Sequence, residues 1–233
     1  MTRKELAALI DQTALGSGLS EEYIRSFCRE AMAEGFASVC ILPNMVPAAA
    51  QILSGSATKV CTVISFPLGM DLPETKIFET GDALQKGAQE IDLVLNVGAF
   101  KSGDYSALER ELSGVIGAAH AAGALAKVII ETPLLTSRQI HEVALLCEGY
   151  GADIVKTSTG YRPILPRSTS VEDVELLHSI LRRETGIKAA GGIRSVQDAL
   201  RMLAAGATRI GASCGVEILN GLAEQPPVRN LSI

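Results

Sequence analysis

Tryptophan is absent from the 233 residues, and aromatic side chains of any kind make up only 4%. A core must therefore be assembled from Ala, Val, Ile and Leu, within a hydrophobic fraction of 47%. That composition suits a tightly packed α/β protein and excludes a loop-rich secreted scaffold. Cysteine pairing is also missing. The five cysteines, at 28, 40, 61, 147 and 214, form no C-x-x-C and are odd in number, which predicts reduced thiols and a cytoplasmic location. With no block of basic residues and a net charge of −5, there is no electrostatic footprint for a nucleic-acid partner. The first eleven residues hold a charge pair and a short apolar run broken by Asp11, and are expected to be neither a signal peptide nor a membrane anchor.

Two further absences narrow the fold. No G-x-G-x-x-G follows the first expected strand and no Gly-rich Walker loop occurs, which argues against an open, doubly wound nucleotide-binding sheet. Histidine is scarce. His120, His141 and His178 all fall in expected surface helices, and neither Cys61 nor Cys214 has the partners of a metal site, so no metal centre is expected.

What the chain does have is a repeated unit. Seven times a helical pattern ends near a glycine, at 35, 55, 87, 123, 151, 186 and 206, and an apolar strand follows. Glycine just past a helix end supplies a left-handed cap. The strands are expected at 37–42, 59–66, 90–97, 126–132, 153–159, 187–191 and 208–213, and one more at 10–15 makes eight. Helical periods fill 20–34, 44–54, 74–87, 105–122, 136–149, 171–185, 195–205 and 214–222, with helix-start signals at Ser20, Thr136 and Ser195. Strict alternation with near-continuous apolar strands predicts a parallel sheet covered on both faces. Eight such units in this length predict a single-domain α/β fold over 1–233, a (β/α)8 TIM barrel.

Polar residues stand out at the ends of these strands, where barrel enzymes keep their active sites. The stretch 151–160 reads as a buried strand with a lysine near its end, and alternation puts Ile154, Lys156 and Ser158 on one face. Desolvation and a second cation both release a free amine from a lysine, the nucleophile for a Schiff base. The competing reading is a lysine paired with a carboxylate in the barrel interior. By the same parity Asp92, Val94 and Asn96 share a face, as do Lys127, Ile129 and Glu131, while Lys188 and Cys40 also point inward. Such a group is either a reactive centre or a structural charge cluster. The pair Gly191-Gly192 beside Arg194, and then Gly211 to Ser213, offers backbone N–H groups where barrels often hold a phosphate.

These residues resemble those of the 2-deoxyribose-5-phosphate aldolase family. The similarity runs from about residue 5 to 220 and is carried by Cys40, Cys-Thr-Val-Ile-Ser-Phe-Pro-Leu-Gly at 61–69 and Glu-Ile-Asp-Leu-Val-Leu-Asn-Val-Gly at 90–98. Further along come Lys-Val-Ile-Ile-Glu-Thr at 127–132, Val-Lys-Thr-Ser-Thr-Gly at 155–160, Ile-Lys-Ala-Ala-Gly-Gly-Ile-Arg at 187–194 and Gly-Ala-Ser at 211–213. The resemblance implies a metal-independent, cofactor-free class I aldolase that interconverts 2-deoxyribose 5-phosphate with acetaldehyde and glyceraldehyde 3-phosphate. It places the Schiff-base lysine on Lys156, the proton-relay aspartate on Asp92 and the second lysine on Lys188. It assigns substrate contacts to Asp11, Thr13, Cys40, Lys127 and Thr159, and the phosphate end to Gly160, Gly191, Gly192, Arg194, Gly211 and Ser213. The chemistry of these residue types agrees, since an iminium is an electron sink that needs no metal.

The chain departs from the family in three places. Gln12 and Ala14 replace the usual His and Leu around Asp11 and Thr13. A long loop at 161–170, with prolines 163 and 166 and arginines 162 and 167, replaces a short Gly-Gly-Ala-Thr turn. Its arginines either aim at the phosphate or are solvated. The last residues, 228–233, lack the terminal tyrosine that some members place over the site. The implied partner is a small phosphorylated sugar or aldehyde, with no nucleic acid and no membrane. A homodimer is an open option. Three other functions compete: a Schiff-base lyase for different aldehydes, a phosphosugar isomerase that forms no imine, and an idle barrel that only binds.

Overall fold

The expected strands pair in chain order around a closed ring. In a computed structural model that describes residues 1–223, the strands are β1 (Ile10–Ala14), β2 (Ser38–Ile41), β3 (Lys59–Ile64), β4 (Glu90–Val94), β5 (Leu125–Ile129), β6 (Ile154–Lys156), β7 (Gly186–Ala190) and β8 (Arg209–Ala212). All neighbours are parallel, and β1 closes on β8 through Asp11 opposite Gly211. Around them lie α1 (Arg3–Ala7), α2 (Glu21–Glu34), α3 (Val46–Ile52), α4 (Pro73–Gln85), α5 (Val97–Ser102), α6 (Tyr105–Ala121), α7 (Ser137–Gly149), α8 (Val171–Ile180), α9 (Val196–Ala204) and α10 (Gly215–Ala223). The main core lies between strands and helices. Outward-facing Val128, Ile130, Val155, Ile187 and Ile210 pack there against Leu112, Val115, Val143, Val174 and Ala199. No helix of the described residues is long and apolar enough to cross a membrane.

Local chemistry explains the helix starts. Ser20 accepts the Tyr23 N–H, and Thr136 with Gln139 and Ser195 with Asp198 form reciprocal caps. Lys76 of α4 is wholly buried and donates to Glu111 of α6 at 2.7 Å and to the carbonyls of Gly69 and Val94 at 2.8 and 2.9 Å. One ammonium therefore ties the loop after β3 to the end of β4.

The structure corrects several boundaries. Most strands stop short of their expected ends because the last residues leave the ladder to build the rim. Asn96 does not face the interior; its side chain accepts the Ala99 N–H and starts α5, a helix that the pattern did not predict. Gly186 is no helix cap but the first residue of β7. Helix α8 ends at Ile180 and not near 185, since the Glu148 carboxylate takes the Arg182 N–H at 2.8 Å and the Thr185 hydroxyl at 2.8 Å, which stabilises a turn there. Helix α1, ahead of the first strand, was also unforeseen. The 228–233 terminus lies outside the described residues.

Candidate active site

Register brings the inward-facing charges together. Asp92 of β4 stands opposite Lys127 of β5, Lys156 of β6 opposite Lys188 of β7, and Lys188 opposite Arg209 of β8. Because adjacent strands are under 5 Å apart, long side chains from three strands converge on one carboxylate. Asp92 Oδ2 accepts from Lys156 Nζ at 2.7 Å and from Lys188 Nζ at 2.8 Å, and Oδ1 accepts from Lys127 Nζ at 2.7 Å. The Cys61 thiol donates to Oδ1 at 3.2 Å.

A second tier lies beneath. Asp11 meets Lys188 at 2.5 Å and Arg209 at 2.6 Å, and Glu90 meets Lys127 at 2.7 Å. The network holds four cations, Lys127, Lys156, Lys188 and Arg209, against three carboxylates, Asp11, Glu90 and Asp92. It carries one positive charge too many.

The environment sets the protonation of most members. Burial alone would raise the Asp92 carboxyl, but Lys127, Lys156 and Lys188 outweigh it and hold it well below the usual carboxylate range. Asp11 moves the same way, with burial overcome by Lys188, Lys127 and Arg209. Burial disfavours the charged forms of Lys127 and Lys188, yet the facing carboxylates win and keep both above the ordinary lysine value. The Cys61 thiol is pushed well up, first by burial and then by Cys40 and Asp92.

Above this network opens a cavity of about 190 Å³, lined by Thr13, Lys156, Thr159, Gly160, Gly191, Gly192, Arg194, Gly211 and Ser213 among others. Lys156, only 3% exposed, is the one member of the ion network in its wall. The other named residues are not brought to the cavity. Asp11, Asp92, Lys127 and Lys188 are wholly buried and do not line it, and Cys40 packs beside Cys61 and Val63. Glu131, expected among the interior charges, is not there. It sits just past β5 in a left-handed conformation (φ 57°), and its carboxylate accepts the Thr159 N–H at 3.0 Å and the Thr159 hydroxyl at 2.6 Å. Glu131→Ala would remove both bonds and is expected to cost about 1–3 kcal/mol, read as a lower denaturant midpoint.

The turn expected to hold a phosphate also differs in detail. The N–H groups of Arg194 and Ser195 are already taken by the Asp198 carboxylate, at 3.2 and 3.1 Å, so the start of α9 is not an open anion site. Donors for an anion must come from the turn before it, at Gly191 and Gly192, and from the residues after β8. The Gly192 backbone is left-handed (φ 92°), and a Cβ there would lie 2.7 Å from Ser168 Oγ.

Cys40, Cys61 and Asp92 offer ligand atoms within 4.8 Å of one another, a grouping that sequence spacing did not reveal. Both Asp92 oxygens are occupied by ammonium groups, and the cluster is net positive, so a cation does not fit here.

A model of the DeoC/LacD family of aldolases matches residues 6–221. The chain belongs to that family. A deoxyribose-phosphate aldolase of Exiguobacterium sibiricum is 49% identical over 217 residues, which cover 93% of this chain and 96% of its own. One from Clostridium perfringens is 45% identical, covering 95% of this chain and 97% of its own. Among solved structures, the tetrameric deoxyribose phosphate aldolase of Aeropyrum pernix superposes with a TM-score of 0.87 at 35% identity, over 95% of this chain and 92% of its own. The protein is thus an aldolase, a carbon–carbon lyase on a TIM barrel.

Within this charge network, sequence reasoning missed Glu90, Arg209 and Cys61. Alternation was the available signal, since Glu90 shares parity with Asp92, and Arg209 with Gly211. Their distance from the expected C-terminal rim hid them.

Proposed function

We propose that this aldolase cleaves 2-deoxyribose 5-phosphate to acetaldehyde and glyceraldehyde 3-phosphate, and runs the reverse addition, through an imine on Lys156. The observation that carries the reading is that Lys156 alone of a surplus-positive buried cluster lines the cavity, while its partners are buried away from the cavity wall. Imine formation needs a neutral amine. Loss of a proton from Lys156 leaves three cations against three carboxylates, so the network gains charge balance at that step.

The amine adds to the C1 aldehyde and the carbinolamine loses water to give an iminium. The iminium accepts the electron pair of the C2–C3 bond as the C3 hydroxyl loses its proton, which releases glyceraldehyde 3-phosphate and leaves an enamine. Protonation at C2 and hydrolysis free acetaldehyde. Asp92, 2.7 Å from Lys156 Nζ, is the acid–base group for these transfers. It is held as a carboxylate while three ammoniums face it. When the nitrogen is a neutral carbinolamine, one of those charges is gone and Asp92 holds a proton more readily. Lys188 and Lys127 remain cationic and fix the relay in place. Free cysteines throughout the described residues suit a reducing cytoplasm.

The direct test is mass spectrometry after acetaldehyde and borohydride. A single ethyl group on the Lys156 peptide is expected; no adduct, or one on Lys127 or Lys188, would refute the imine assignment. At the other end of the substrate, Gly192→Val forces a side chain against Ser168 in a left-handed backbone. It should raise KM for the phosphorylated sugar by about tenfold or more while affecting free deoxyribose much less, because only the phosphorylated substrate needs the turn. Equal losses for the two sugars would remove the phosphate from that turn.

A further inference from the structure

The loop at 161–170 is long but not loose. At its far end the Arg167 guanidinium grips Asp173 with two bonds, at 2.6 and 2.8 Å, and reaches the Thr132 carbonyl at 3.3 Å. The Thr169 hydroxyl contacts Thr157 and the Ala190 carbonyl, and its N–H donates to the Gly191 carbonyl at 3.3 Å. At its near end the Tyr161 N–H bonds the Thr159 hydroxyl at 3.1 Å. Between these anchors a short 3-10 turn (Arg162–Ile164) is held down by buried Leu165, with prolines 163 and 166 restricting the backbone. The segment is anchored at both ends and adjoins the cavity wall through Ser168, which packs against Gly192.

The two arginines of this segment have different fates. Arg167 is committed to Asp173 and has a structural job. Arg162 has, among the described residues, no carboxylate partner; its Nη1 donates to the Ser168 hydroxyl at 3.0 Å, and Ser168 is the residue packed against Gly192. The guanidinium is therefore tethered, solvent-exposed and one side chain away from the turn at the cavity's phosphate end. An anion there finds the start of α9 already satisfied by Asp198, which leaves room for a cation to contribute.

We propose that Arg162 is a specificity-determining residue of this chain, whose tethered guanidinium pairs with the phosphate of the substrate at the Gly191-Gly192 turn. The inference rests on the aldolase reading for the identity of the sugar, but its chemistry requires only a phosphate dianion. A planar guanidinium suits bidentate contact with phosphate oxygens, and the Ser168 tether reduces the side-chain freedom lost on binding. Arg162 touches no reacting atom, so its effect belongs in substrate affinity and not in the chemical step.

The experiment measures steady-state cleavage of 2-deoxyribose 5-phosphate and of free deoxyribose by wild type, Arg162→Gln, Arg162→Lys and Ser168→Ala, with calorimetric titration of inorganic phosphate alongside. Arg162→Gln should raise KM for the phosphorylated sugar about tenfold with little change in kcat, weaken inorganic phosphate similarly, and leave the preference for phosphorylated over free sugar reduced by the same factor. Arg162→Lys should recover part of the loss, and Ser168→Ala should lose an intermediate amount. An unchanged preference in Arg162→Gln, or equal losses on both sugars, would overturn the proposal. An enzyme that traps no imine yet loses phosphate affinity on Arg162→Gln would refute the reaction on Lys156 while supporting this assignment.

Discussion

Lys156→Ala is expected to lose borohydride trapping and turnover together, with kcat down by at least on the order of 10³, as when other nucleophiles are deleted. The folded protein should survive. Asp92 keeps Lys127 and Lys188 at 2.7 and 2.8 Å, and the network becomes three cations against three carboxylates. Stability should therefore change by no more than about 1 kcal/mol, because no buried charge is left unpaired. Circular dichroism and a denaturant titration check the fold, and peptide mass spectrometry checks the adduct. Adduct that persists on Lys188 or Lys127 would reassign the nucleophile. A large loss of stability would contradict the surplus-charge argument.

Asp92→Asn should do the opposite to stability. Removing the carboxylate leaves four cations facing two carboxylates, three of them ammoniums that had shared it. Breaking a buried ion network in this way costs about 3–5 kcal/mol, in addition to a loss of roughly 10² or more in kcat for a missing acid–base group. The pH dependence gives a separate signature. Because Asp92 is held well below its usual value in the folded protein, its contribution is fully present above the unfolded carboxylate pKa of about 3.9 and is lost as pH falls toward the folded value. The stability gap between wild type and Asp92→Asn should be widest near neutral pH and narrow in acid. A gap that is constant with pH, or a variant as stable as wild type, would show that Asp92 is not the hub of the charges.

Much of this was legible in the chain. Alternating strand and helix periods implied the barrel, because a parallel strand covered on both faces is apolar along most of its length, as at 128–130. Parity alone placed Asp92, Lys127, Lys156 and Lys188 inside. It failed where backbone conformation departs from the strand. Glu131 follows Lys127 by four residues, yet a left-handed turn removes it from the interior, and Glu90 at the lower end of β4 supplies the carboxylate in its place. Asn96 was lost to the interior in the same way, by becoming a helix cap. The partners of Arg162 and Arg167 were illegible for another reason. Which carboxylate or hydroxyl a loop arginine meets depends on where distant elements put Asp173 and Ser168, and no local pattern encodes that.

The closing pair of strands has a consequence for how the chain folds. The ion pair between Asp11 and Arg209 joins residues 198 apart in sequence, and it spans the seam where β1 meets β8. Every other strand pairs with the next one along the chain across a single helical connection of one or two helices, whereas this seam can form only after seven units are in place. Such long-range closure is slow relative to local pairing. Until it happens both end strands have open edges that can pair with other chains, and the Asp11 carboxylate lacks its Arg209 partner across the seam. The protein synthesised without β8 should therefore accumulate as an aggregation-prone open sheet, and the full-length chain should be most vulnerable to misassembly in the interval before its first and last strands meet.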